Sequence, residues 1–378
     1  MVRRTIRVRP DWQDKVEDLG FNYHTLNNEV YWDESTCYEF SYPQIEILEN
    51  ATNELHSMCL KAAEHVIKNN LYERFFTKKE FIPLIKSSWE QSSPSIYGRF
   101  DLSWNGNLQT PPRMLEYNAD TPTSLFEASV VQWNWLQECF PKQDQFNSLH
   151  EKMVAHWKEI KPHLKKQILF FSCLDEFPED LVNVYYMLEC ASEAGIKTQF
   201  ISVTDIGWNG ENFTDLEENK LCNMFKLYPW EWLIHEEFGQ HLIHSDTIWI
   251  EPAWKMLLSN KAILPILWQL YPGHPYLLEC YYDEPGKMKS YIKKPLLSRE
   301  GANVTLVEDN VLLHQTGGDY GSEGFIFQQL CKLPDFEGNF PVIGSWLIGG
   351  ESAGMGIRES RSPITDNFSR FVPHLIGK

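Results

Sequence analysis

Four polar residues in two neighbouring segments could converge on one site: two carboxylates and an amide, whose oxygen atoms suit a metal ion, and a guanidinium. Arg99 and Asp101 lie in the first segment, and Glu116 and Asn118 lie in the second, with a turn-rich stretch between them. Two extended segments around such a turn predict a β-hairpin, in which alternate side chains share a face. If the two polar faces coincide, their oxygen atoms suit Mg²⁺. A polar solvent face on an ordinary hairpin is the competing interpretation.

Cationic residues further along the chain are candidates for binding phosphate. Lys261 follows Ser-Asn, and Lys294 ends a predicted strand that leads into a loop containing Arg299, Gly301 and Asn303. Lysine supplies a point charge for phosphate, and a loop between strands can present backbone amides to an anion. The loop matches neither the Walker A motif nor GxGxxG. Solvated lysines and an ordinary turn are the competing interpretations.

The C-terminal part of the chain carries further polar residues whose pattern is weak. Arg358 ends a predicted strand after glycine-rich turns, for which a tight hairpin is the simplest interpretation. Gln328 and Gln329 are unremarkable on their own. Gly-x-Ser-x-Gly occurs at 350–354, but it lies between two predicted antiparallel strands and not between a strand and a helix, so a hydrolase nucleophile is not predicted.

Apolar periodicity predicts the elements that must position these residues. An apolar run over 166–173, a helical face that starts after Pro178, and a run over 197–203 predict a βαβ unit with parallel strands. Further helices are predicted over 43–70 and 259–270, and a further strand over 247–250. Short strands joined by glycine-rich turns predict an antiparallel sheet in the last third, at 291–294, 304–307, 311–314, 324–328, 342–348 and 354–358. The fold class is therefore α/β or α+β.

Charge and composition exclude several classes of protein. The chain has 34 basic and 52 acidic residues in 378, which gives a net charge of −18. An acidic chain is a poor partner for duplex nucleic acid or an anionic membrane surface. Aromatic residues make up 14% of the sequence, too many for a disordered protein. The eight cysteines are scattered without a CxxC pair, and no apolar run is long enough to span a bilayer, so we expect a cytoplasmic protein.

The motifs that contain these residues resemble the synthetase part of the glutathionylspermidine synthase family, which has an ATP-grasp fold. The chain looks closer to the shorter, stand-alone bacterial members, which lack the family's cysteine amidase domain. The matching stretches keep the same order from about Gly20 to the C-terminus. They are Tyr-Gly-Arg-Phe-Asp (97–101), Leu-Glu-Tyr-Asn-Ala-Asp-Thr-Pro-Thr-Ser (115–124), Leu-Tyr-Pro-Trp-Glu (227–231), Glu-Pro-Ala-Trp-Lys (251–255), Leu-Ser-Asn-Lys-Ala-Ile-Leu-Pro (258–265), Lys-Pro-Leu-Leu-Ser-Arg-Glu-Gly-Ala-Asn-Val (294–304), Gln-Gln-Leu (328–330) and Gly-Ile-Arg-Glu (356–359).

The resemblance implies a role for each candidate residue. Arg99 would steady the transferred phosphoryl group, and Arg358 would lie at the reacting phosphate or at the carboxylate of a peptide substrate. Thr121 occupies a position that the family uses for the peptide substrate. The ligands of Mg²⁺ would be Asp101, Glu116 and Asn118. The nucleotide would be bound by Lys261 and Lys294, by the phosphate loop with Arg299, Gly301 and Asn303, and by Gln328 or Gln329 near the adenine.

The resemblance also implies an activity and an organisation. The family uses ATP and Mg²⁺ to activate a carboxylate as an acyl phosphate, which an amine then attacks to give an amide. The expected partners are ATP, a glutathione-like peptide and a polyamine-like amine. We expect a helical and hairpin region over about 1–160, a pre-ATP-grasp α/β region over 161–255 and a nucleotide-binding region over 256–378. An ATP- and Mg²⁺-binding regulatory protein without ligase turnover is the alternative.

Overall fold

A four-stranded parallel sheet contains the predicted βαβ unit. The fold is described from a computed structural model, which describes residues 1–26, 28–299, 301–362 and 369–377. The strands of this parallel sheet lie in the order Ile248–Ile250, Asn223–Lys226, Leu169–Cys173 and Thr198–Ser202. All three pairings are parallel, and the helix Pro178–Glu193 connects the last two strands, so the predicted unit is confirmed.

An antiparallel sheet, which we call the site sheet, contains the predicted hairpin. Its strands lie in the order Arg370–Val372, Glu351–Ser360, Phe340–Ile348, Tyr97–Ser103 and Arg113–Asn118. The hairpin between the last two strands is confirmed. Every residue of the strand Tyr97–Ser103 is buried. The site sheet therefore joins strands from the first third and the last third of the chain.

A second antiparallel sheet, which we call the cover sheet, contains the other strands predicted for the last third. Its strands lie in the order Cys280–Tyr282, Phe325–Gln329, Tyr291–Pro295, Thr305–Glu308 and Val311–Gln315. The expectation of one antiparallel sheet in this region is therefore wrong. All residues of Phe340–Ile348 except the first are buried, whereas all of Val311–Gln315 are exposed. The apolar strand Phe340–Ile348 pairs with Tyr97–Ser103 in the site sheet. The order of the strands in the sequence does not indicate this pairing.

Smaller sheets and helices complete the described residues. Val2–Thr5, Thr36–Phe40 and His374–Ile376 form a three-stranded sheet, and Thr25–Leu26 with Glu29–Val30, and Gly207–Trp208 with Phe213–Thr214, form two-stranded ones. The α-helices span Trp12–Glu17, Tyr42–Asn69, Ile82–Glu90, Gln132–Cys139, Leu149–Ile160, Pro178–Glu193, Trp230–Leu233, Met256–Ser259 and Ile263–Leu270. A π-helical turn spans Glu127–Val131, and short 3₁₀ turns span Tyr72–Phe75, Lys79–Phe81, Lys161–His163, Val203–Asp205, Gly239–Ile243 and Ala253–Lys255. No helix in the described part of the chain is long and apolar enough to cross a membrane.

Local sequence explains where two predicted helices begin. The helix Tyr42–Asn69 confirms the prediction over 43–70, and the Ser41 backbone N–H at its start donates to Gln44 Oε1 at 2.9 Å. The helix predicted over 259–270 begins instead at Ile263. Asn260 adopts an extended conformation, and its Oδ1 accepts a hydrogen bond from the Ala262 N–H at 2.9 Å. Such side-chain bonds favour a helix start over continuation of the preceding turn.

A buried ion pair fixes the first residues of the Tyr97–Ser103 strand. Glu251 Oε1 accepts hydrogen bonds from the backbone N–H groups of Ile96 at 2.8 Å and Tyr97 at 3.1 Å. Lys255 Nζ pairs with Glu251 and donates to the Tyr97 carbonyl oxygen. Both charged side chains are at most 1% exposed. The segment that follows the parallel sheet therefore anchors the hairpin of the site sheet.

The Lys255→Met substitution tests this anchor. It leaves Glu251 as a buried carboxylate without its cation, so we expect a loss of about 3–5 kcal/mol in the free energy of unfolding. The matched control is Lys220→Met, because Lys220 pairs at 2.9 Å with Asp246 while both side chains are more than one-third exposed. For this control we expect a much smaller loss, because water solvates both charges of an exposed pair. Urea unfolding measures the free energy of unfolding of both variants. Equal losses would contradict the expectation that the buried pair of Glu251 and Lys255 stabilises the fold more than an exposed pair does.

Candidate active site

A cavity of about 320 Å³ lies where the site sheet, the parallel sheet and the cover sheet meet. Its wall includes most of the residues that the sequence singles out. These residues are Arg99, Asp101, Glu116, Asn118, Thr121, Lys261, Lys294, Arg299, Gly301 and Arg358. The structure therefore brings together residues that lie up to about 260 positions apart in the chain.

The register of the hairpin explains why its four polar residues converge. Arg99 lies opposite Asn118, and Asp101 lies opposite Glu116. Directly opposed residues of an antiparallel pair have side chains on the same face of the sheet. All four side chains consequently line the cavity, so the two faces do coincide.

Asp101 lies between two guanidinium groups. Arg99 Nε donates to Asp101 Oδ1 at 2.8 Å, and Arg358 Nη2 pairs with Asp101 Oδ2. The Asp101 and Arg99 side chains are 4% and 7% exposed, so this pair is shielded from solvent. Burial alone lowers the pKa of Arg358, but the Asp101 and Glu116 carboxylates raise it above its ordinary value. Arg358 is therefore held as a cation at the cavity wall.

Glu116 is the second carboxylate of the site and is surrounded by cations. Its Oε2 lies 3.5 Å from Lys261 Nζ. Burial alone would raise the pKa of Glu116, but Lys261, Lys294 and Arg358 outweigh burial and lower it to about 2. The side-chain amide nitrogen of Asn118, Nδ2, donates to Asp101 Oδ2 at 3.4 Å and to Glu116 Oε1 at 3.5 Å. Asn118 therefore bridges the two carboxylates.

Lys294 projects from the cover sheet toward the hairpin. Its Nζ donates to Gln328 Oε1 at 2.9 Å and to the Leu115 carbonyl oxygen at 3.3 Å. Burial lowers the pKa of Lys294, and Glu116 opposes this effect. Gln328 is buried behind the lysine, whereas Gln329 is exposed and its Oε1 accepts from the Glu279 backbone N–H at 3.4 Å. Neither glutamine belongs to the cavity wall.

The predicted phosphate loop reaches the opposite side of the cavity through Arg299. Its Nη2 donates to Glu231 Oε1 at 2.6 Å, and its Nη1 donates to Thr121 Oγ1 at 3.1 Å. Gly301 lines the cavity, but Asn303 does not, because its Oδ1 accepts from the Tyr320 backbone N–H at 2.9 Å. The loop thus presents Arg299 and Gly301, while Asn303 stabilises the loop itself.

Several residues of the cavity wall were not predicted from the sequence. Ile292 could have been found, since it lies two positions before Lys294 on the same face of a strand. The acidic residue Asp120 is fully buried, and its carboxylate accepts from Lys226 Nζ at 2.7 Å and from the Trp230 backbone N–H at 2.9 Å. The unpredicted wall residues include the apolar Leu115, Ile292, Val304, Leu333 and Val342 and the acidic Asp120, Asp180 and Glu231.

The donor set fits a hard cation that keeps some of its water. Among the described residues, no group of three or more His, Cys, Asp and Glu side chains could hold a metal ion. Two carboxylates and one amide oxygen do share a face at Asp101, Glu116 and Asn118. Mg²⁺ is usually bound through one or two carboxylates with waters and substrate phosphates completing its shell. The residues present therefore fit Mg²⁺ better than a transition metal.

Comparison with known proteins decides the family. The family described as glutathionylspermidine synthase preATP-grasp matches residues 3–377. The chain belongs to the glutathionylspermidine synthase family. A Haemophilus influenzae protein named "Putative acid--amine ligase" is 43% identical over 97% of this chain and 97% of its own length. The bifunctional glutathionylspermidine synthetase/amidase of Escherichia coli is 27% identical over 97% of this chain, which spans 64% of that protein.

Family membership confirms the fold and the class of reaction. A glutathione synthetase-like effector from Globodera pallida has a similar fold, with a TM-score of 0.55 over 97% of this chain and 96% of its own at 10% identity. The expected ATP-grasp fold is therefore confirmed. As a member of this family the chain is an enzyme, a ligase that joins an acid to an amine through a C–N bond. The roles of individual residues stay predictions.

The Glu116→Gln substitution tests the electrostatics of the site. A pKa lowered from 4.5 to about 2 corresponds to at most about 3 kcal/mol of stability at pH 7, and the 29% exposed side chain reduces this value. A lowered folded-state pKa stabilises the protein above pH 4.5, and this stabilisation disappears as the pH falls toward 2. We therefore expect the deficit of the variant, measured by urea unfolding, to shrink below pH 4.5. Glu64→Gln, at an exposed pair with Lys68, is the control and should show a small deficit at each pH. If the loss of unfolding free energy in Glu116→Gln does not depend on pH, the lowered pKa of Glu116 is wrong.

Proposed function

We propose that the chain is an ATP-dependent carboxylate–amine ligase that forms its amide through an acyl phosphate. One observation carries the proposal. Arg99, Arg358, Lys261 and Lys294 meet two carboxylates at one cavity, in a chain of net charge −18. An acidic protein that binds a polyanion needs a local cluster of cations, and phosphoryl transfer is catalysed mainly by such positioned charges.

Nucleotide binding is assigned to the cover-sheet side of the cavity. Lys261 and Lys294 bind phosphates, and the apolar wall formed by Ile292, Val304 and Leu333 receives the base. Gln328 lies at this end and holds Lys294 in place through the 2.9 Å hydrogen bond. The loop with Arg299, Gly301 and Asn303 closes over the phosphates, with Gly301 allowing close approach of the backbone at its φ of 70°. Gln329 is too exposed to contribute.

The metal is assigned to the hairpin. Asp101, Glu116 and Asn118 would hold Mg²⁺, which neutralises phosphate charge when it is bound. Because the pKa of Glu116 is about 2, this carboxylate is ionised at neutral pH and needs no deprotonation before it binds a cation.

The reaction needs charge stabilisation rather than a protein nucleophile. A carboxylate oxygen of the acid attacks the γ-phosphorus of ATP and displaces ADP, which leaves an acyl phosphate. Arg99 and Arg358 stabilise the charge on the transferred phosphoryl group. The amine nitrogen then attacks the carbonyl carbon, loses a proton and expels phosphate, which yields the amide.

The substrates are proposed by class. The acid is a glutathione-like peptide whose binding includes Thr121, and the amine is polyamine-like. The name of the Escherichia coli relative, a glutathionylspermidine synthetase/amidase, supports both classes. The cavity wall also contains the carboxylates of Asp120, Asp180 and Glu231, of which Asp120 pairs with Lys226 and Glu231 pairs with Arg299.

Release of ADP tests the proposal. The protein is incubated with ATP, Mg²⁺, glutathione and spermidine, and then with a panel of other peptides and amines, and both ADP and conjugate are measured. We expect ADP release that depends on the acid and the amine together. Binding of Mg-ATP without turnover on any pair would favour the alternative, a regulatory protein that has lost the ligase step.

Two adjacent lysines give a matched test of the nucleotide site. Lys294 is buried and faces the cavity, whereas Lys293 points to the other side of the strand, with its Nζ 3.8 Å from the centre of the Phe325 ring. We expect Lys294→Met to weaken Mg-ATP binding about 10- to 150-fold, because each charge-assisted phosphate contact contributes roughly 1.5–3 kcal/mol. Lys293→Met should bind within about threefold of wild type. Calorimetric titration with a non-hydrolysable ATP analogue measures both, and equal affinities would exclude Lys294 from the site.

A further inference from the structure

A buried hydrogen-bonded cluster lies under the loop 121–124, at the edge of the cavity. The hydroxyl of Tyr31 donates to Glu127 Oε1 at 2.7 Å and lies 3.3 Å from Ser124 Oγ. Glu127 is fully buried, and Ser124 is 5% exposed. None of the three side chains lines the cavity. The proposed function gives them no role, although they contact a loop that carries Thr121.

We propose that Tyr31 and Glu127 are positioning residues, which hold the loop 121–124 in the conformation that orients Arg99 for the ligase reaction. This inference rests on the proposed function for its effect on catalysis. Its structural part, the ordering of the loop, is independent of turnover.

The loop is connected directly to two arginines of the site. The Thr123 carbonyl oxygen accepts from Arg99 Nη1 at 2.6 Å, and Thr121 Oγ1 accepts from Arg299 Nη1 at 3.1 Å. The guanidinium of Arg99 is therefore oriented by Asp101 on one side and by the loop on the other. A displaced loop would leave Arg99 with the aspartate alone.

The conformation of the loop needs external support. Ser124 has a φ of 66°, a left-handed conformation that is unfavourable for a residue with a side chain. After Ser124, the backbone N–H groups of Leu125 and Phe126 donate to Asn183 Oδ1 at 2.9 and 3.2 Å. Tyr31 supplies the support at Ser124 itself. Its own carbonyl oxygen accepts from the Phe371 backbone N–H at 2.6 Å, which ties this support to the site sheet.

The protonation state of Glu127 affects the support of the loop 121–124. Burial and the charge of Glu179 raise the pKa of Glu127 to about 8, while the hydrogen bond from Tyr31 lowers it. The titratable side chains that act on Glu127 include Tyr31 and Tyr23 of the N-terminal segment and Glu179 in the first turn of the helix Pro178–Glu193. Glu127 Oε2 has no hydrogen-bond partner among the described residues. Glu127 is therefore a neutral acid at pH 7, and its ionisation at higher pH would bury an uncompensated charge under the loop.

Tyr31→Phe tests the inference, with Tyr23→Phe as its matched control. Tyr23 is 6% exposed, its ring centre lies 6.0 Å from that of Tyr31, and its hydroxyl has no hydrogen-bond partner in the described part of the chain. Hydrogen–deuterium exchange of the peptide covering 119–126 is measured first. We expect exchange at least about tenfold faster in Tyr31→Phe and unchanged in Tyr23→Phe, because only the former loses a loop contact.

Turnover gives the second measurement. We expect Tyr31→Phe to lower kcat/KM for the acid at least about tenfold, with Mg-ATP affinity retained, and Tyr23→Phe to stay within about twofold. Activity of the wild type should fall above about pH 8 as Glu127 ionises. The pH at which activity falls should be higher in Tyr31→Phe, and this fall should be absent in Glu127→Gln. A general loss of stability would not produce these two changes.

The outcomes separate this inference from the proposed function. Exchange and kcat/KM that are the same in Tyr31→Phe and Tyr23→Phe would overturn the positioning role while leaving the ligase activity intact. A wild type without turnover would refute the proposed function, and the exchange comparison would still decide whether Tyr31 holds the loop.

Discussion

The pairing of Asp101 with two arginines is the interaction on which the rest of the site depends. Arg99 and Arg358 come from different strands of the site sheet; Arg99 donates to both oxygens of the Asp101 carboxylate, and Arg358 donates to Oδ2 of the same carboxylate. Burying a charge is costly unless it is paired, so Asp101 stabilises the buried Arg99 and also Arg358, whose side chain is 25% exposed. The same pairing sets the positions from which both guanidinium groups face the cavity. The same ion pairs thus stabilise the charges of these three residues and set the positions of their side chains at the cavity.

The backbone around this cluster is fitted to it. Gly344 lies opposite Asp101 on the neighbouring strand, and a Cβ atom at this position would lie 2.9 Å from Arg99 Cδ. A side chain there would displace the arginine, so the glycine is required by close approach rather than by a turn. The anchor formed by Glu251 and Lys255 then fixes the strand on which Arg99 and Asp101 lie. The position of Arg99 is therefore determined from the neighbouring strand, from the parallel sheet and from the loop 121–124.

The sequence predicted what depends on local periodicity. The alternation around Arg99 and Asp101 gave the shared face of the hairpin, and the apolar runs at 166–173 and 197–203 gave the parallel pair. What it missed depends on contacts between distant segments. Nothing near Phe340–Ile348 indicates that this strand pairs with Tyr97–Ser103 rather than with its neighbours in the chain. For the same reason Gln328, Gln329 and Asn303 were assigned to the nucleotide from motif resemblance, although their side chains lie outside the cavity wall. The roles of the wall residues and the three-region division of the chain stay predictions.

The cavity wall consists of two parts with different freedom to change. Asp101, Glu116 and Lys294 lie on paired strands, where a substitution disturbs a sheet as well as a contact. Thr121 lies in the loop 121–124 and Glu231 in the short helix Trp230–Leu233, and both contact Arg299. Loops such as 121–124 vary more easily than the scaffold that carries them. Divergence toward a different ligand can therefore proceed at the loop 121–124, while the paired strands keep the geometry of Asp101, Glu116 and Lys294.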